Sequence, residues 1–150
     1  RTGVWSDWRE DALAADGMAA WMPANHIEWA IQVFLPSNAF ATSDGGESKD
    51  KWAVYVSARV QRKGQGEGSA FGSGIYDTKR KHFGTERNVA VAETAENEYR
   101  FYKIAETSLD PNCYIWVAPT KNAENVEGIW VDRIVLVRED APKTAAKLAP

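Results

Sequence analysis

The chain is poor in the residues on which most enzyme chemistry rests: one cysteine, Cys113, and two histidines, His26 and His82, among 150 residues. A single thiol excludes an internal disulfide and cannot build a zinc site alone. Cys113 lies in the apolar run Cys113-Tyr114-Ile115-Trp116-Val117, where a buried, inert thiol is expected rather than a nucleophile. Neither histidine belongs to a nucleophile elbow or another Ser-His-Asp signature, and the pattern His-x-x-x-His of zinc hydrolases is missing. No apolar run reaches the length of a membrane span, and no signal peptide is present. An excess of positive charge is also lacking. Against 21 Asp and Glu stand 18 Lys and Arg, and the net charge of −3 gives no long-range attraction for nucleic acid or anionic lipid. The chain opens on Arg1 rather than methionine, so the expectation is an excised module of a larger protein, and the missing signal says nothing about where that protein resides.

Tryptophan, in contrast, is abundant. Seven indoles exceed what a core of this size needs, so some are expected at a surface, where a flat aromatic plate has a use. Length and composition fit one domain with a real core, 44% hydrophobic and 26% charged.

Alternation identifies the strands. Within 52–61, Trp52, Val54, Val56, Ala58 and Val60 face one way, while Ala53, Tyr55, Ser57, Arg59 and Gln61 face the other. Residues 28–35 alternate as well, with Trp29, Ile31, Val33 and Leu35 on one face, which places Trp29 in the core. In 70–76, Phe71, Ser73 and Ile75 oppose Ala70, Gly72, Gly74 and Tyr76. Further strands are read at 12–15, 17–22, 88–92, 99–105, 113–118 and 129–138. About nine short strands without a convincing helix predict an all-β fold, a two-sheet antiparallel β-sandwich spanning 1–139. Residues 140–150, rich in Ala, Pro and Lys, read as a C-terminal linker.

Candidate chemistry is thin. A carboxylate pair such as Glu28 with Glu93 or Glu98 could cleave a glycosidic bond, but their separation is not readable and solubility explains the acidic residues equally well. The segment Gly64-Gln65-Gly66-Glu67-Gly68 lacks the P-loop Lys-Ser/Thr and carries a glutamate that would repel phosphate, so it reads as a hairpin loop. No enzyme is expected.

Aromatic plates suggest another use. A sugar ring offers axial C–H groups to an indole or phenol and hydroxyls to polar side chains. If the three strands neighbour one another, Tyr55 and Arg59, Tyr114 and Trp116, and the low floor of Ala70, Gly72 and Gly74 beside Tyr76 would form a shallow groove. The alternative is that the small residues merely let another segment cross closely, covering Tyr114 and Trp116. Trp5 and Trp8 could cap the groove, fill a core edge or pack against the parent protein. His26 could bond a sugar hydroxyl or be satisfied by backbone groups. Asp132, inside the apolar final strand, needs a partner. Ca²⁺ shared with Glu10 or Asp11 is one solution; Arg133 would point to the opposite face of a regular strand, so backbone N–H groups or an arginine elsewhere are the other.

Several segments together carry a family likeness: Asp16-Gly17-Met18-Ala19-Ala20, Glu28-Trp29-Ala30-Ile31-Gln32, Ser69-Ala70-Phe71-Gly72-Ser73-Gly74-Ile75-Tyr76-Asp77, Tyr114-Ile115-Trp116-Val117-Ala118-Pro119 and Trp130-Val131-Asp132-Arg133-Ile134-Val135-Leu136. In these the chain resembles the galactose-binding-like jelly-roll modules appended to bacterial glycoside-hydrolase-like proteins. The resemblance implies a jelly roll without catalysis, glycan binding on a concave sheet or edge loops, and a structural calcium between an early acidic residue and Asp132. It also implies a polysaccharide or oligosaccharide partner, a tethered catalytic domain, and a secreted, periplasmic or cell-surface location. A structural or docking domain is the competing expectation, followed by a small jelly-roll hydrolase or lyase. Burial of Tyr55, Tyr114 and Trp116 together would remove the expected groove and favour the scaffold role.

Overall fold

The computed structural model describes residues 5–40 and 50–139, so the expected linker at 140–150 lies outside the described residues. Nine strands occur among them: β1 (Asp7–Glu10), β2 (Met18–Pro23), β3 (Ile31–Phe34), β4 (Lys51–Arg62), β5 (Ser69–Asp77), β6 (His82–Ala90), β7 (Arg100–Ser108), β8 (Cys113–Pro119) and β9 (Val126–Arg138). They form two antiparallel sheets, one ordered β1-β2-β9-β4-β7 and the other β3-β8-β5-β6. The architecture is the expected two-sheet sandwich. No described helix is long and apolar enough to cross a membrane.

The core lies between the sheets, where one side of each strand is apolar. Val54, Val56, Ala58 and Val60 of β4 join Met22, Ile129 and Val131 on one side, and Phe71, Ile75, Ile115 and Val117 close it from the other. Each large fully buried side chain, such as Phe71, Met22 or Ile115, stabilises the fold by about 1.5–3 kcal/mol. A single helical turn, α1 (Ser37–Phe40), tucks Phe40 against Trp52 with ring centroids 5.2 Å apart.

Three local readings need correction. Residues 12–15 are a turn, not a strand: Asp11 Oδ1 accepts the Leu13 N–H, the Ala14 N–H reaches the Asp11 carbonyl, and Gly17 takes a positive φ of 80°. The strand before it, β1, lies at Asp7–Glu10. Residues 28–30 precede β3 rather than belonging to it, which frees Trp29 from the inward alternation. Finally, β4 belongs to a different sheet from β5 and β8, so Tyr55 and Arg59 cannot share a groove with Tyr114 and Trp116.

Candidate functional site

On β8, Ile115 and Val117 face the core, which turns Tyr114, Trp116 and Ala118 outward. Antiparallel register aligns Gln32, Trp116 and Gly74 across the sheet, and Phe34, Tyr114 and Tyr76 beside them. Glycine is required at 74 in particular. A Cβ at Gly74 would come within 2.9 Å of Trp116 Cζ2, and one at Gly72 within 3.6 Å of Cζ3. The Trp116 indole therefore lies down on bare backbone. Trp29, arriving from the segment before β3, stacks flat on it with centroids 4.8 Å apart and planes 6° from parallel. Tyr76, Phe83 and Tyr114 meet Trp29 at steeper angles, from 5.3 to 6.1 Å.

The expected groove walls are therefore sealed. Trp116 is 6% exposed, Tyr114 8%, and Tyr55, on the other sheet, 6%. Burial pushes the Tyr114 phenol above its ordinary pKa. Trp116 is a pedestal, and the segment that covers it supplies the more accessible plate. Sequence periodicity missed Trp29 because its parity matches Ile31 and Leu35; only the polar, turn-like stretch before it hinted at a loop.

Trp29 lines an open cleft of about 510 Å³ with Trp5, Ile27, Glu28 and Gln32. The Gln32 amide donates to the Trp29 carbonyl at 3.3 Å. His26 sets this geometry from below. It is buried, its Nδ1 accepts the Glu28 N–H at 3.1 Å, and its Nε2 lies 3.1 Å from the Trp5 carbonyl. Accepting at Nδ1 leaves the proton on Nε2, which donates to Trp5. The two rings pack at 4.7 Å. Burial lowers the His26 pKa, outweighing the hydrogen bond to Trp5 that favours the cation. His26 thus positions Trp5 and the loop through backbone groups, and both of its nitrogens are engaged.

Arg59 is likewise committed elsewhere. On the outer side of the five-stranded sheet its Nε and Nη2 donate to Asp11 Oδ2 at 3.1 and 2.6 Å, and Nη1 donates to Asn97. Its guanidinium lies over Trp130 at 4.6 Å and near Tyr99 at 5.5 Å. Burial alone would raise the Asp11 pKa, but hydrogen bonds from Tyr99, Arg59 and the Leu13 N–H together hold it below the ordinary value. Tyr99 is raised, first by burial and then by its bond to Asp11.

This pairing bears on the expected calcium. Asp11 already carries a matched cation in Arg59, and Glu10 is exposed. Asp132 sits opposite a register shift, since Ser57 pairs with Arg133 and Ala58 with Val131. The resulting bulge lets both neighbours act together: Asp132 Oδ1 accepts the Ala15 N–H at 3.3 Å, and Oδ2 accepts Arg133 Nε at 2.7 Å. Among the described residues Glu10, Asp11 and Asp132 belong to no group of three side-chain ligands; Asp11 is held by Arg59 and Asp132 by Arg133. Among the described residues, Asp77, Asp110 and Cys113 do form a cluster of ligand-type atoms, all within 4.8 Å of one another. There Asp77 Oδ1 accepts the Lys79 and Arg80 N–H groups, and burial pushes the Cys113 thiol up.

Trp8 stands apart from Trp5. It projects from β1 into a separate cleft of about 260 Å³ where the edges of the two sheets part, and it is 66% exposed.

No protein-family model matches the chain, and no curated protein matches it. Among solved structures, it is similar to the CBM22-1–GH10 modules of endo-1,4-β-D-xylanase 10B from Clostridium thermocellum, complexed with xylohexaose. The TM-score is 0.53 at 10% identity, over 94% of this chain and 26% of that one. An arabinose-bound GH51 α-L-arabinofuranosidase gives a TM-score of 0.52 at 9% identity, over 92% of this chain and 22% of that one. The chain thus spans about a quarter of each protein, and at these identities the likeness concerns the fold.

Proposed function

We propose that the chain is a non-catalytic carbohydrate-binding module that holds a glycan in the cleft between Trp5 and Trp29. The observation that carries this is the stacked pair: Trp29 lies on Trp116 over a glycine floor and lines an open cleft with Trp5. A fixed indole loses little freedom when a pyranose or furanose face settles on it, and Gln32 and Glu28 serve the ring hydroxyls. Among the described residues Glu28 is the single carboxylate lining the cleft, whereas glycoside hydrolysis uses two flanking the scissile bond. On this reading the module works outside the cytoplasm, secreted, periplasmic or on the cell surface, and concentrates a tethered catalytic domain on its polysaccharide.

The ligands of the two structural neighbours put xylan and arabinan first in a test panel. In affinity electrophoresis the module should be retarded by at least one polysaccharide, and Trp29→Ala should weaken that retardation by about tenfold or more. No retardation by any glycan would sink the reading. A docking role is the second reading, favoured by the sealed Tyr55, Tyr114 and Trp116 and by the exposed Phe34 and Phe83 on the aromatic sheet. It predicts no glycan binding, and loss of stability in the parent protein when the module is deleted.

A further inference from the structure

Trp8 is the most exposed tryptophan of the described residues, yet no aromatic ring packs on it among them. Across the sheet its row continues with Ala20 and then Val131. Small side chains beside an indole leave a hollow, here about 260 Å³, at the gap between β1 and the free edge of β3. Ser6 Oγ donates to the Ala30 carbonyl at 3.2 Å and ties the two edges together next to that hollow. The rim is polar and charge-matched. Asp132 pairs with Arg133 at 2.7 Å, and Asp7 with Arg9 at 3.2 Å. Gln32 lines this hollow and also the Trp5–Trp29 cleft, so the two adjoin at β3.

We infer that the Trp8 hollow is a second sugar subsite, which takes a further ring of an uncharged glycan chain whose first ring sits by Trp29. This rests on the proposed function and extends it from a single ring to a chain. The lining carboxylates Asp132 and Asp7 are each neutralised by an arginine, and Arg133 itself brings guanidinium donors for hydroxyls to the hollow, which suits a neutral sugar and offers an ionic ligand no surplus. Spanning two linked plates raises affinity with chain length, because the second contact is intramolecular.

The test titrates xylo- and arabino-oligosaccharides, from monosaccharide to hexasaccharide, into the wild type, Trp8→Ala, Trp8→Tyr and Trp29→Ala. For the wild type, affinity should step up as the chain lengthens and change little as salt is raised. Trp8→Ala should bind the shortest ligands as the wild type does and lose about tenfold for the longest, with Trp8→Tyr recovering part of it. Trp29→Ala should weaken every length. Trp8 is exposed, so its variants should keep the wild-type circular dichroism and melting temperature. Equal affinity of Trp8→Ala and wild type for every length, or a steep salt dependence, would overturn the subsite while leaving the Trp29 cleft standing. Failure of the wild type to bind any glycan would remove both.

Discussion

Replacing Gly74 and Gly72 by alanine, separately, tests the footing of the aromatic stack. At Gly74 a new Cβ would meet three neighbours at once: Glu86 Cβ at 2.8 Å, Trp116 Cζ2 at 2.9 Å and the Thr85 carbonyl at 3.0 Å. Backbone and a wedged indole cannot step aside cheaply, and such overpacking costs about 1–3 kcal/mol. At Gly72 the one short approach is Asn88 Oδ1 at 2.7 Å, the end of a mobile side chain, while Trp116 stays at 3.6 Å. Both substitutions gain about 0.4–1 kcal/mol by restricting the unfolded chain. Gly72→Ala should therefore be near neutral, and Gly74→Ala should lose about 1–2 kcal/mol. For a chain of this size that is a melting-point fall of roughly 3–6 °C, read by differential scanning calorimetry. Trp29 rides on Trp116, so Gly74→Ala should also change the near-ultraviolet circular dichroism of the stacked indoles. Equal melting points for the two variants, with unchanged dichroism, would refute the claim that Trp116 rests on the glycine floor.

Two further outcomes follow from the buried polar groups. Asp11→Asn should destabilise the fold by about 3–5 kcal/mol, measured by urea denaturation, because it strands the Arg59 charge at side-chain exposures of 6% for both partners. Since the folded Asp11 pKa is depressed, its contribution is complete above the unfolded value near 3.9 and is lost as pH falls through the lower folded one. Asp11→Asn should flatten that acid limb. His26 is depressed too, so the folded state favours the neutral ring: stability is complete above an unfolded pKa of about 6.5 and declines on acidification. Protonating Nδ1 abolishes its acceptance of the Glu28 N–H, so glycan retardation should weaken at mildly acid pH in the wild type. Persistence of full retardation well below that range would remove His26 from the positioning of Trp5.

Most strands were legible because their alternation is strict. In β4 the run from Trp52 to Val60 gives one buried row, and the structure places Val54, Val56, Ala58 and Val60 there. Sheet membership was not legible. A sandwich sends successive strands to opposite sheets, and nothing in the local pattern of Tyr55 and Arg59 records that β4 pairs with β7 and β9 rather than with β5. The glycine face of β5 was read as a low floor with two uses; the structure lays the Trp116 indole on it, and the segment carrying Trp29 covers that ring. Trp29 was misplaced for want of a boundary: alternation cannot mark where a strand begins. Asp132 was expected to face away from Arg133, and one bulged residue reverses that. Bulges leave almost no trace in composition.

The glycine-floored stack divides labour between rigid and replaceable parts. Its base belongs to a strand held in register from both sides, while its upper plate is carried by a short connecting segment. Exchanging that segment would re-face the surface without disturbing the sandwich interior beneath, so one scaffold of this kind can serve differently shaped ligands by changing only its veneer.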